Sequence, residues 1–121
     1  MKVYMKKGIR GHDVIAKGLE NICTKCENLD ISYLQLVLEK SIDGFEFGMF
    51  TNEYADVIKK RLGNAEIAIL GSYINPSNPD DASLSRDIQK FKEKIKYASI
   101  LNPIAVGTET GIYKEGLTDT E

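Results

Sequence analysis

The chain alternates between two kinds of segment. Four short apolar runs, Lys7–Gly11, Tyr33–Leu38, Glu66–Tyr73 and Pro103–Thr108, are separated by longer amphipathic stretches. A parallel pair of strands needs a crossover of about a dozen residues or more, which a helix supplies, whereas antiparallel strands need only a short turn. The alternation therefore predicts a parallel sheet built from βα units. The run centres, at Ile9, Leu36, Ile69 and Ala105, lie 27, 33 and 36 residues apart. The architecture repeats although the residues do not.

Four such units are about half of a (β/α)8 barrel, which takes roughly 250 residues. The expectation for 121 residues is a single domain, a (βα)3β half-barrel in strand order 1-2-3-4, with three helices on its convex face and a frayed tail over 112–121. The competing arrangement is a flavodoxin-like open sheet in order 2-1-3-4, with helices on both faces. That second form would suit a non-enzymatic small-molecule binding or interaction module. A half-barrel leaves the other side of its sheet uncovered. Because Leu34–Leu38 and Ile67–Leu70 read as apolar on both alternating faces, a dimer or larger assembly is expected.

Each helical stretch carries its own signals. The first is expected from Asp13, with Ile15, Leu19, Ile22 and Cys26 at helical spacing. The second has Thr51 as N-cap, Glu53 in its first turn, Ile58 and Leu62 inward, and Gly63 just past its end. The third is expected over about Ala82–Leu101, packing through Ile88, Phe91 and Ile95. On this reading Ile95→Ala is a core truncation. Lys90, Lys92, Lys94 and Lys96 form a solvated face, and Asn102-Pro103 ends the helix. Between the second strand and second helix lie Phe45, Phe47 and Phe50, which either close the end of the core or wall a pocket.

Charge and composition exclude several classes. A formal net charge of -2 leaves no basic surplus for a nucleic-acid backbone. No apolar run is long enough to span a bilayer. The basic N-terminus lacks the apolar segment of a signal peptide, so a cytoplasmic location is expected. Cys23 and Cys26 form Cys-x-x-Cys, but toward the C-terminal end of a helix, where the dipole opposes a thiolate. One histidine and two cysteines also fall short of a zinc set. Both cysteines are read as packing residues.

Ligands of parallel α/β folds bind beyond the carboxyl ends of the strands. Arg10–Asp13, Glu39–Ser41, Ser72, Tyr73, Asn75 and Thr108–Gly111 stand there. His12, the only histidine, has a side chain that titrates near neutrality, which suits an acid–base role or the orientation of a hydroxyl; it can also simply cap the first helix. Glu109 reads as a base or as an exposed carboxylate. Tyr73 and Asn75 suit hydroxyl recognition, with a structural turn as the alternative for the Asn-Pro segment. Lys40 suits phosphate or plain solvation. No glycine-rich phosphate loop occurs.

Lys7–Asp13, Leu70–Pro76 and Val106–Gly111, in this order and spacing, resemble strand-end runs of the sugar phosphate isomerase/epimerase superfamily, the xylose-isomerase-like TIM barrels. Lys96-Tyr97-Ala98 resembles the segment before that family's Glu-Thr-Gly run. The resemblance covers nearly the whole chain but only the N-terminal half of the family. It implies a barrel that moves a proton at a carbon of a sugar or sugar phosphate, with Mn2+, Mg2+ or Zn2+ in a complete member. The family's metal ligands lie mostly on later strands, so no metal is expected in this chain, which alone would be inactive. By the same resemblance His12, Tyr73, Asn75 and Glu109 carry over only as substrate-side or rim positions; read from the residues themselves, His12 and Glu109 are the catalytic candidates, and Lys40, Tyr73 and Asn75 the substrate-binding ones.

Overall fold

The computed structural model describes residues 5–110. The expected tail over 112–121 lies outside them. Four strands, β1 (Gly8–Arg10), β2 (Tyr33–Leu36), β3 (Glu66–Gly71) and β4 (Ala105–Gly107), form one sheet in the order 1-2-3-4. All three pairings are parallel. Each strand thus lies beside its neighbour in sequence, and the doubly wound order 2-1-3-4 is not the one adopted. The crossovers contain α1 (Leu19–Asn28), α3 (Asn52–Leu62) and α4 (Asp81–Leu101). A single turn of helix, α2 (Leu38–Ser41), follows β2 directly, and a 3-10 turn, Gly11–Asp13, follows β1.

Crossovers of one hand between successive parallel neighbours, the general rule in such sheets, would place every helix on the same side. One hydrophobic cluster confirms that placement. Leu19, Ile22 and Cys26 of α1, Ala55, Ile58 and Leu62 of α3, and Tyr97 and Leu101 of α4 pack together on Leu34, Leu36, Ile67 and Leu70. The run Ile67-Ala68-Ile69-Leu70 cannot alternate strictly and still bury both Ile67 and Leu70. The register resolves this: Leu34 pairs with Ile67 and Gln35 with Ile69, so Ala68 is an extra residue on β3. The irregularity turns Ile67 and Leu70 to the helices and Ile69 to the other side.

Among the described residues no second layer covers that other side. It is less apolar than its sequence implied. Gly8, Arg10, Tyr33, Gln35 and Ala105 stand with Ile69, while Val37 and Leu38 are fully buried where the chain turns into α2.

Two helical readings need correction. α1 begins at Leu19 rather than Asp13, because Gly18 holds φ 81°, outside any helix, and Ile15 is 89% exposed ahead of it. α4 buries a different face from the one its apolar stripe suggested. Ile88 is 39% and Ile95 49% exposed, whereas Lys94, Tyr97 and Leu101 point inward. Ile95→Ala is therefore not a core truncation. The other local signals act as expected. Thr51 Oγ accepts from the Tyr54 N–H at 3.0 Å, Gly63 takes φ 58°, and Asn102 takes the left-handed conformation before Pro103. Of the three phenylalanines, Phe45 and Phe50 close the core against Tyr97, with ring centroids 5.6 and 4.8 Å away.

Candidate functional site

The carboxyl ends of β1, β2 and β3 bring His12, Glu39, Lys40 and Tyr73 into one region. β1 delivers Arg10 and then the 3-10 turn carrying His12 and Asp13. β2 delivers α2, which packs against that turn and carries Glu39, Lys40 and Ser41. The approach is close: a Cβ on Gly11 would sit 3.7 Å from Ser41 Oγ and 3.5 Å from the Gln35 carbonyl oxygen. β3 ends at Gly71, followed by the buried Ser72 and then Tyr73.

His12 does not cap a helix. Its side chain is 10% exposed, and its Nε2 accepts from Arg10 Nη2 at 2.9 Å. The proton of this neutral ring then belongs on Nδ1, which is buried without a partner among the described residues. Arg10 Nη1 also meets Asp13 at 3.4 Å. The His12 pKa is lowered, first by burial, then by the charges of Arg10 and Lys40, with Asp13 and Glu39 opposing. Lys40 is exposed, and its ammonium lies 6.0 Å from the centre of the Tyr73 ring.

The residue that sequence reasoning missed is Lys94. Assigned to a solvated face, it is only 1% exposed. Its Nζ lies 2.8 and 2.7 Å from the two carboxylate oxygens of Glu39, donates to the Gly71 carbonyl at 2.7 Å, and stands 5.5 Å from the centre of the Phe47 ring. Burial lowers its pKa, and the hydrogen bond and charge of Glu39 partly restore it. The ammonium thus ties α4 to the ends of β2 and β3 and fixes the carboxylate of Glu39 at the edge of the rim. Spacing held the signal: Lys94 precedes Tyr97 by three residues and Leu101 by seven, on one helical face.

The remaining candidates are less integrated. Asn75 Oδ1 accepts from the Ser77 N–H at 3.1 Å, which shapes the turn after β3. Glu109 is exposed two residues beyond β4. Cys23 and Cys26 are free thiols with raised pKa values, that of Cys23 about 11 through burial, so neither is a ready nucleophile. No three His, Cys, Asp or Glu side chains converge as a metal site among the described residues. Both oxygens of Glu39 are already engaged by Lys94. The described residues therefore do not form a ligand set for the divalent ion that the sequence resemblance implied. No family model, curated protein or solved structure matches the chain.

Proposed function

We propose that this chain is one half of an isomerase/epimerase-like (β/α)8 barrel, with its strand-end rim forming part of a site for a sugar or sugar phosphate. The observation that carries the reading is the sheet itself: four parallel strands in sequence order, helices on one face only, and His12, Lys40 and Tyr73 grouped at the carboxyl ends. In such a rim His12 offers an imidazole for proton transfer or hydroxyl orientation. Lys40 and Tyr73 offer a cation and a phenol to a polyhydroxylated ligand. Glu109 and Asn75 stand on the same side as further hydrogen-bonding groups.

Closure of a barrel requires a second half. The bare face, the β1 and β4 edges, and the exposed Ile88, Ile95 and Ile104 support pairing with a second copy, β4 of each chain lying beside β1 of the other. Any metal chemistry would come from residues other than those described. Amide shift mapping with a panel of aldoses and ketoses, run beside sedimentation and a turnover assay with Mn2+, Mg2+ and Zn2+, tests the reading. Shifts confined to residues 10–13, 39–41 and 72–75 are expected. A sugar panel that leaves those amides unmoved at tens of millimolar overturns it.

A further inference from the structure

A cavity opens at the end of the sheet opposite the rim, where the chain enters β2 and β3. Its volume is about 350 Å3, and it lies between α1, the last turn of α3 and the short connections that follow the two helices. Pockets that hold small molecules span roughly 300–1,000 Å3. Cys23, Ile31 and Leu62 give it an apolar lining. Arg61 reaches from α3 to α1, its Nε 3.1 Å from Glu20 Oε1, and ties the two helices together beside the space.

The charges around this cavity do not balance. Glu20 offsets Arg61. Glu27 and Asp30 also line it, and neither makes an ion pair within 4 Å among the described residues. Both are exposed, so their carboxylates are open to a ligand. The C-terminal ends of α1 and α3 stand here as well, and each helix dipole adds partial negative charge. Lys25 of α1 does not compensate, because its Nζ donates to the Ile15 carbonyl at 2.8 Å. Cys23 feels the same field. Its pKa is pushed up to about 11, first by burial and then by Cys26 and Glu20, so an anion is disfavoured in this lining.

We infer that this cavity binds a small organic ammonium ion, a primary amine carried on a short apolar body. The body packs on Cys23, Ile31 and Leu62, and the ammonium donates to the carboxylates of Glu27 and Asp30 at the end of α1. An ammonium has three donors and no acceptor, which suits two carboxylates lacking cationic partners. A carboxylate ligand of the same shape meets like charge and two helix C-termini. An alcohol of the same shape leaves Glu27 and Asp30 without a counter-charge. The site is separate from the strand-end rim and does not depend on a sugar binding there.

The experiment is amide shift mapping of the full chain near neutral pH with phenethylamine, which is then charged, beside 2-phenylethanol and 3-phenylpropionate. The amine should shift the amides of Thr24, Glu27, Ile31 and Asn64 and leave residues 10–13 and 39–41 in place. It should bind about tenfold more tightly than the alcohol, the equivalent of one charge-assisted hydrogen bond, and the propionate should bind most weakly. Glu27→Gln with Asp30→Asn removes both charges at exposed positions, and Asn tolerates the positive φ of residue 30. In that variant the preference for the amine over the alcohol should vanish. Cavity amides unmoved by the amine at tens of millimolar, or shifts confined to the rim, overturn the site. An alcohol that binds as tightly as the amine, or a preference that survives the double variant, overturns the assignment to a cation. The sugar panel reads a different set of amides, so failure here and failure of the rim reading are seen separately.

Discussion

Glu39 and Lys94 make a quantitative prediction. Replacing Lys94 with Met keeps an unbranched side chain beside Phe47 but removes the ammonium. Hydrogen bonds to charged groups contribute about 1.5–3 kcal/mol each, and an orphaned buried acceptor costs about 1–3 kcal/mol. The Gly71 carbonyl would lose its ammonium donor, while Glu39, at 32% side-chain exposure, would regain water. Loss of the ammonium also removes its own desolvation cost. The balance is a destabilisation of about 2–3 kcal/mol. Glu39→Gln leaves the cation buried with a neutral partner, and breaking a buried pair from that side costs about 3–5 kcal/mol. Urea unfolding of the two single variants and the double variant measures both terms and their coupling. Because the folded pKa of Lys94 is lowered, the unfolded chain binds more protons between that value and 10.5. Wild-type stability should therefore gain from this group as pH rises through that window, and Lys94→Met should lack the gain. A Lys94→Met loss within about 0.5 kcal/mol of zero, as at a surface lysine, would refute the buried clasp.

Three further outcomes are expected. Tyr97 is fully buried, its hydroxyl has no partner among the described residues, and its pKa is pushed up to about 12 by burial, so Tyr97→Phe should be neutral or stabilising by up to about 1 kcal/mol in the same denaturation assay. Ile95→Ala should cost under about 1 kcal/mol and Leu101→Ala about 2–5 kcal/mol; equal losses would mean that α4 is rotated from the orientation described. With a lowered folded pKa, His12 should titrate below 6.5 in the ligand-free protein and draw stability down as pH falls from 6.5 through its folded value; a calorimetric pH series in which His12→Gln behaves like wild type would contradict its burial.

Where sequence reading succeeded, one physical preference dominated locally. Thr51 and Gly63 bracket α3 because a hydroxyl cap and a positive φ are satisfied by few residue types. The parallel pairing followed from the βα alternation, whereas the alternation alone fitted both the order 1-2-3-4 and the order 2-1-3-4, and the structure adopts the first. The errors arose where two preferences competed. Ile15 matches a helical stripe, but Gly18 interrupts the backbone that would have continued it. On α4 hydropathy picks out Leu84, Ile88, Phe91 and Ile95, whereas packing turns in the face carrying Lys94, Tyr97 and Leu101. A lysine among lysines looks solvated until a carboxylate from another strand end is known to meet it. The position of His12, Lys40 and Tyr73 at strand ends was legible because those ends are fixed by the alternation. The partnership of Glu39 with Lys94 was not, because the two are 55 residues apart in sequence.

The neighbour-to-neighbour strand order also governs how the chain reaches its fold. Each strand finds its partner across one helical crossover, so no pairing waits for a remote part of the chain. Folding rates rise as such separations shorten. β2 and β3 are the longest strands and lie centrally, with three-residue strands at either edge. The sheet is therefore expected to nucleate at β2–β3 and grow outward to β1 and β4. Pulsed hydrogen exchange during refolding should protect the amides of Leu34, Leu36, Ile67 and Leu70 before those of Ile9 and Val106. A sheet that grows outward from its centre presents an open edge on either side at every stage, and β1 and β4 are the strands that come to occupy those edges.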